Sequence, residues 1–396
     1  MASEVANRIN ESPTMKVSAL AKKMRADGEK VINLSVGEPD FPTPDNIKQA
    51  AKKAIDENQT RYTINAGTVE LRKAVAAKLK RDNGLDYDIK NIIVSNGAKH
   101  SVFNCILATV NKGEEVIIPA PYWVSYPDMV SIADGTSIII DTKEKNGFKV
   151  TPEELESAVT TKTKALILCN PSNPTGSAYS KAELEKVADV CLSHNFYIIS
   201  DEIYEKLTYG DYQFVSFPSL SEELKKRTLL VNGLSKAFSM TGWRVGYTAG
   251  PEDIIQAINR IQSHSTSNAA SISQAAALEA LIGSQDAVEE MRKEFEKRRD
   301  FLYNQLTSIE GITCYKPEGA FYLFPNISAY FNKSNNETKV KNSFDLAMYL
   351  LSDVKVAAVP GSAFGAEGFL RLSYATSMTN LEEAVTRIKE SLKRLN

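Results

Sequence analysis

Between residues 91 and 200 short apolar runs alternate with longer amphipathic ones, and this alternation limits the possible folds more than any other feature of the chain. Strands are expected at 92–95, 116–118, 137–140, 165–169 and 197–200. Helices are expected from Lys99, from Trp123, and over 152–159 and 181–194. Strands joined through helices run parallel, because the chain must cross back over the sheet before adding the next strand, and both faces are then covered. The expected class is α/β, with a large, mainly parallel sheet and helices on both faces.

At 396 residues the chain exceeds one ordinary core. A helix over 16–27 stops at Gly28, and two amphipathic helices between Asp45 and Asn83 flank the exposed turn RYTINAG, which holds Tyr62. After Pro251 the chain turns helical, over 271–282 and 286–306. From about Gly311 short strands (321–324, 356–359, 370–373) mix with helices over 343–351 and 380–392, which suggests a smaller α+β domain. The expected division is an N-terminal arm with part of the small domain (1–44), a large domain (45–290) and a small C-terminal domain (291–396).

A net charge of −2 and the lack of a dense basic run with interleaved aromatics argue against a nucleic-acid surface. No run approaches a membrane span, and MASEVANRINESP is no signal peptide, so a soluble protein with no membrane partner is expected. Cys105, Cys169, Cys191 and Cys314 lie far apart and read as reduced thiols of a cytoplasmic protein. Three scattered histidines and no HExxH or Cys/His cluster suggest no metal.

In parallel sheets ligands collect beyond the carboxyl ends of the strands, so chemistry is sought in the residues that follow them. After 92–95 comes Asn96-Gly97-Ala98-Lys99, whose N–H groups either bind an anion or simply open a helix. After 165–169 comes NPSNPTG, in which Pro171 and Pro174 hold Asn173. After 197–200 comes Asp201-Glu202-Ile203-Tyr204; Asp201 reads as a helix N-cap or as a buried acid, and a buried acid needs a cation such as a protonated pyridine nitrogen. A strand over 31–36 runs into GEPDFPTP, where Gly37 admits a ligand close to the main chain. A strand over 228–231 leads to a polar turn with Lys236 between Ser235 and Ala237, and Arg244 is expected to open a further short strand. Taken alone, Lys236 reads as a solvated lysine; burial or a neighbouring cation would make it a nucleophilic amine. Ser235 and Arg244 suit an anchored phosphate.

The run Ser235, Lys236, Gly242, Arg244, Gly246 resembles the pyridoxal-phosphate attachment segment of class I aminotransferases. The other loops resemble, in order and spacing, those of the aspartate aminotransferase branch found in many bacteria and plastids, from Pro13 to about Leu392. The resemblance implies the PLP-dependent transferase fold of fold type I, with pyridoxal 5'-phosphate as cofactor. Lys236 would hold it as a Schiff base and later shuttle a proton, Asp201 would pair the ring nitrogen, and Tyr204 and Asn173 would bond its phenolic oxygen. Trp123 would stack on the ring. Arg244, Ser235 and the backbone of Gly97 and Ala98 would hold the phosphate, with Tyr62 reaching in from the second subunit of a homodimer. Arg371 and the backbone of Gly37 would clamp the substrate α-carboxylate, although Arg371 taken alone also reads as a surface ion pair.

One branch of the family reads the distal carboxylate of aspartate with an arginine in the segment that here is QSHSTSNAAS, which has none. Lys99 and Thr14 match the other branch, where a lysine does this, so L-aspartate with 2-oxoglutarate is the expected pair. Some members also use prephenate; those tend to carry a basic residue where this chain has Asn10 and Glu11. Aromatic or alanine transamination and C–S lyase chemistry use the same fold. A DNA-binding regulator lacks its extra domain here, and a nicotinamide-binding protein lacks its GxGxxG.

Overall fold

The computed structural model describes residues 2–9, 13–335 and 338–396; Asn10, Glu11 and the side chains of residues 13–15, Thr14 among them, lie outside that description. Twelve strands follow in chain order: β1 (Ile32–Asn33), β2 (Ile92–Ser95), β3 (Glu115–Ala120), β4 (Thr136–Asp141), β5 (Thr163–Cys169), β6 (Tyr197–Asp201), β7 (Thr228–Gly233), β8 (Gly246–Ala249), β9 (Tyr322–Leu323), β10 (Val356–Ala357), β11 (Val359–Pro360) and β12 (Leu370–Ser373). Seven form one sheet in the order β2-β8-β7-β6-β5-β3-β4. Only β8 in it runs antiparallel to its neighbours.

Side-chain alternation shows why this sheet is covered twice. Leu166, Leu168 and Ile198 face the helices Pro152–Ala158 and Lys181–Ser193. Their neighbours Ala165, Ile167 and Ile199 face Ala98–Thr109, Ser125–Ile132 and Glu252–Ser263. A strand buried on both faces needs an unbroken apolar run, which is what these segments present. The helix Lys181–Ser193 starts at a capping box in which Ser180 and Glu183 satisfy each other's backbone N–H.

The remaining strands form two small sheets, a parallel pair β1-β10 and an antiparallel trio β11-β12-β9. Their apolar cluster takes in Met291, Phe295, Leu302 and Leu306 of the long helix Asp286–Thr307, and also Ile203, Tyr204 and Leu207 from the loop after β6. That loop is fixed from behind by a buried ion pair between Glu205 and Lys78 of the helix Val69–Asn83. No helix among the described residues is long and apolar enough to cross a membrane.

Three expectations need correction. Arg244 opens no strand: it sits in the left-handed region (φ +55°) after a short turn, and β8 begins two residues later at Gly246. The run 31–36 pairs only through Ile32 and Asn33, because the Asn33 side chain then accepts the Ser35 N–H (2.9 Å) and turns the chain away. The run 356–359 is two strands, since Val356 and Ala357 pair with β1 while Val359 and Pro360 pair with β12.

Gly246 is the tightest joint in the sheet: a Cβ there would lie 2.4 Å from the Ala98 nitrogen and 2.6 Å from the Gly97 carbonyl carbon. Backbone cannot yield as a side-chain end can. Gly246→Ala should therefore cost about 3 kcal/mol or more in a urea unfolding experiment; a loss below about 1 kcal/mol would show that the contact relaxes freely.

Candidate active site

Because β2, β3, β5, β6 and β7 run the same way, their carboxyl ends share one edge of the sheet, and antiparallel β8 brings its first residue to that same edge. The turn after β7 carries Lys236. Its Nζ donates to the Gly37 carbonyl at 2.6 Å and lies 5.9 Å and 5.8 Å from the ring centres of Tyr204 and Phe321. Burial, followed by the charge of Arg371, pulls its pKa down to about 8, against the opposing pull of Glu38 and Asp201. An amine with that pKa is partly neutral near physiological pH and can act as a nucleophile or base.

Asp201 ends β6 and is 5 % exposed. Tyr126 donates its hydroxyl to Oδ2 at 2.7 Å. Burial pushes the carboxyl up, and the Tyr126 hydroxyl, the Ile203 N–H and the charge of Lys236 oppose it. A buried acid in this balance favours an added cation. Trp123 stands edge-on to Tyr126, with ring centres 5.2 Å apart at 81°.

Arg371 is buried, and burial lowers its pKa. It donates to Asn173 Oδ1 at 3.0 Å and to the Ser35 carbonyl at 2.7 Å, while its Nε–H has no partner among the described residues. Its guanidinium lies between the rings of Tyr322 (4.5 Å) and Phe364 (5.0 Å). Arg244 donates to the carbonyls of Thr241 (2.8 Å) and Asn96 (3.3 Å). Gly97 (φ +88°) makes room for that guanidinium, which a Cβ would meet at 2.5 Å. The Gly97 N–H is committed to the Ser95 carbonyl at 2.8 Å, so of the expected pair only the Ala98 N–H, with that of Lys99 next to it, stays open to an anion. The Lys99 ammonium lies 4.9 Å from the Trp123 ring centre, where desolvation and the charge of Arg244 lower its pKa.

Contacts thus tie Gly37, Asn173, Tyr204, Lys236 and Arg371 into one group, Lys99 to Trp123, and Gly97 to Arg244; Ser235 precedes Lys236 and is 7 % exposed. Tyr62 is set apart: it is 93 % exposed and forms no hydrogen bond or ring contact among the described residues. Three contributors were not anticipated. Tyr126 lies three residues beyond Trp123, and the turn that leads into the helix Ser125–Ile132, where the Tyr126 N–H donates to the Trp123 carbonyl at 3.0 Å, brings the two together. Tyr322 and Phe364 reach Arg371 through strand pairing and a turn that no local pattern announces.

Lys99, Lys236, Arg244 and Arg371 form no ion pair with a carboxylate among the described residues. Four unmatched cations, an open pair of helix N–H groups and one buried acid fit a ligand with a phosphate, a carboxylate and a protonated ring nitrogen, as pyridoxal phosphate with an amino acid would present. Residues 29–388 match the family model described as aminotransferase class I and II. The chain is 48 % identical to an aspartate aminotransferase of Geobacillus stearothermophilus, over 96 % of each chain. It is 49 % identical to a probable aspartate/prephenate aminotransferase of Rickettsia bellii, over 97 % of each. The crystal structure of the aspartate aminotransferase from Rhizobium meliloti superposes with a TM-score of 0.97 at 44 % identity, covering 100 % of both chains. The chain belongs to the class I and II aminotransferases, a pyridoxal-phosphate-dependent enzyme family.

Proposed function

We propose that the chain transfers the amino group of L-aspartate to 2-oxoglutarate, reversibly, giving oxaloacetate and L-glutamate. One observation carries this reading: the site holds two cations free for substrate carboxylates, Arg371 between two rings and Lys99 beside Trp123. A dicarboxylic amino acid matches that pair. The relatives named aspartate aminotransferase point the same way. Prephenate as a further acceptor is the second reading, supported by the name of the Rickettsia relative.

Arg371 and the Gly37 backbone bind the α-carboxylate, and Lys99 the distal one. Ser235, Arg244 and the N–H groups at Ala98 and Lys99 hold the phosphate, and Trp123 lies against the ring. Pyridoxal phosphate, when bound, supplies an electron-accepting ring for the substrate α-carbon. Asp201, oriented by the Tyr126 hydroxyl, keeps a proton on the ring nitrogen. Asn173 and Tyr204 hydrogen-bond the phenolic oxygen. Lys236, released from the Gly37 carbonyl, would take the proton from the substrate α-carbon and deliver it to the cofactor's C4′ carbon, as its lowered pKa favours.

The working unit is read as a cytoplasmic homodimer. The cysteines among the described residues are free, and Tyr62 stands in the open with Ile64 (57 %) and Ile282 (64 %) also exposed. A second copy would cover that face and receive the Tyr62 hydroxyl at its phosphate. Within each copy residues 45–290 form the large domain, 291–396 the small one, and 1–44 an N-terminal arm with part of the small domain.

Three outcomes are expected. Acylation of Lys236 in cofactor-free protein should titrate with a midpoint at about 8, and borohydride treatment of loaded protein should place the pyridoxyl label on Lys236; a midpoint near 10.5 or a label elsewhere would remove Lys236 from the centre. Lys99→Ala should raise the KM for aspartate about tenfold or more while leaving that for alanine nearly unchanged; equal effects on both would take Lys99 out of substrate choice. Mixing Lys236→Ala with Tyr62→Ala protein should restore activity well above either parent, since mixed dimers regain one intact site. An active monomer in sedimentation, or no recovery on mixing, would refute shared sites.

A further inference from the structure

Tyr322 lies in β9 and is fully buried. Its hydroxyl is 2.9 Å from that of Tyr204. Its ring backs the Arg371 guanidinium at 4.5 Å, and the same hydroxyl stands where a Cβ on Gly37 would come within 3.2 Å of it. The Gly37 carbonyl in turn holds the Lys236 amine. One side chain from the small antiparallel sheet therefore touches the loop after β6, the buried arginine and the backbone that receives the lysine.

Each phenol has a single proton to give. Within a buried pair one hydroxyl donates to the other, and the acceptor keeps its own proton for a different partner. Neither hydroxyl has another hydrogen-bond partner among the described residues. If Tyr322 donates, the Tyr204 proton is turned outward, and a hydroxyl that accepts one hydrogen bond becomes a stronger donor of the next.

We propose that Tyr322 is a positioning residue: its hydroxyl donates to Tyr204 and so aims the Tyr204 proton at the phenolic oxygen of pyridoxal phosphate, while its ring supports the arginine that takes the substrate carboxylate. The proposal rests on the role of Tyr204 given under the proposed function. A donor to the phenolic oxygen favours the form in which that oxygen bears its full negative charge, so weakening the donor moves the pH midpoint of the bound cofactor's visible absorbance upward.

The test is a double-mutant cycle on cofactor-loaded protein with that midpoint as the readout, alongside the melting temperature of each variant. Tyr322→Phe should raise the midpoint by about half a pH unit and lower kcat by about 3- to 10-fold, with the KM for aspartate within about twofold because the ring remains. Tyr204→Phe should raise the midpoint further, and the double variant no further than Tyr204→Phe alone. A shift in Tyr204→Phe with none in Tyr322→Phe overturns the proposal and leaves the function intact. Additive shifts also overturn it, since Tyr322 would then act without Tyr204. No shift in either single variant overturns the placement of Tyr204 beside the cofactor and the proposal with it.

Discussion

Lys236 and Arg371 are basic groups held away from water; Asp201 and Glu38 answer only part of the charge on Lys236, and no carboxylate among the described residues pairs with Arg371. Burying charge without a full counter-charge is costly, so the surrounding fold has to impose it. It does so by giving each group a neutral acceptor in place of a carboxylate: the Gly37 carbonyl for Lys236, and the Ser35 carbonyl and Asn173 amide for Arg371. These bonds fix position while leaving the charge available. A ligand that brings negative groups relieves the imbalance, and whatever binds only the folded form also stabilises it.

The imbalance is possible because one sheet direction gathers residues far apart in sequence. Loops leaving β2, β3, β5, β6 and β7 meet at a common edge, and antiparallel β8 returns the chain there at Gly246. Glycine is required at Gly246, where its backbone meets that of Gly97 and Ala98, and at Gly97, whose positive φ and missing side chain leave room for the Arg244 guanidinium. The Glu205 and Lys78 pair braces the loop after β6 from the other side.

Much of this was readable in the amino-acid order. Strands covered on both faces appear as continuous apolar runs, so 92–95 and 370–373 coincide with the observed strands and 163–169 differs by two residues at one end. The lysine turn, the Asp201 loop and the arginine near the C-terminus are legible through their motifs and their order along the chain, since taken singly Lys236 reads as solvated and Arg371 as a surface ion pair. The unread parts depend on contacts distant in sequence. Nothing local announces that β8 is antiparallel, that Arg244 adopts a left-handed conformation, or that Ala358 separates strands of two sheets. Tyr322 escaped for the same reason: its approach to Arg371 depends on the register in which Ser373 pairs with Tyr322. The helix expected from Trp123 starts at Ser125, since no capping side chain precedes it.

The segment 37–43 runs between the long helix and the lysine turn and is fastened to both. Gly37 and Glu38 hold Lys236 and Thr241, Thr43 bonds the Ser239 carbonyl and the Trp243 indole, and Asp40 is clasped by Arg298, with Phe41 against Phe295. Three residue steps from Gly37 to Asp40 can stretch no further than ~10 Å. The segment is a short tether: while the Asp40–Arg298 pair holds, a shift of the helix larger than the tether's reach would carry the Gly37 carbonyl away from the Lys236 amine.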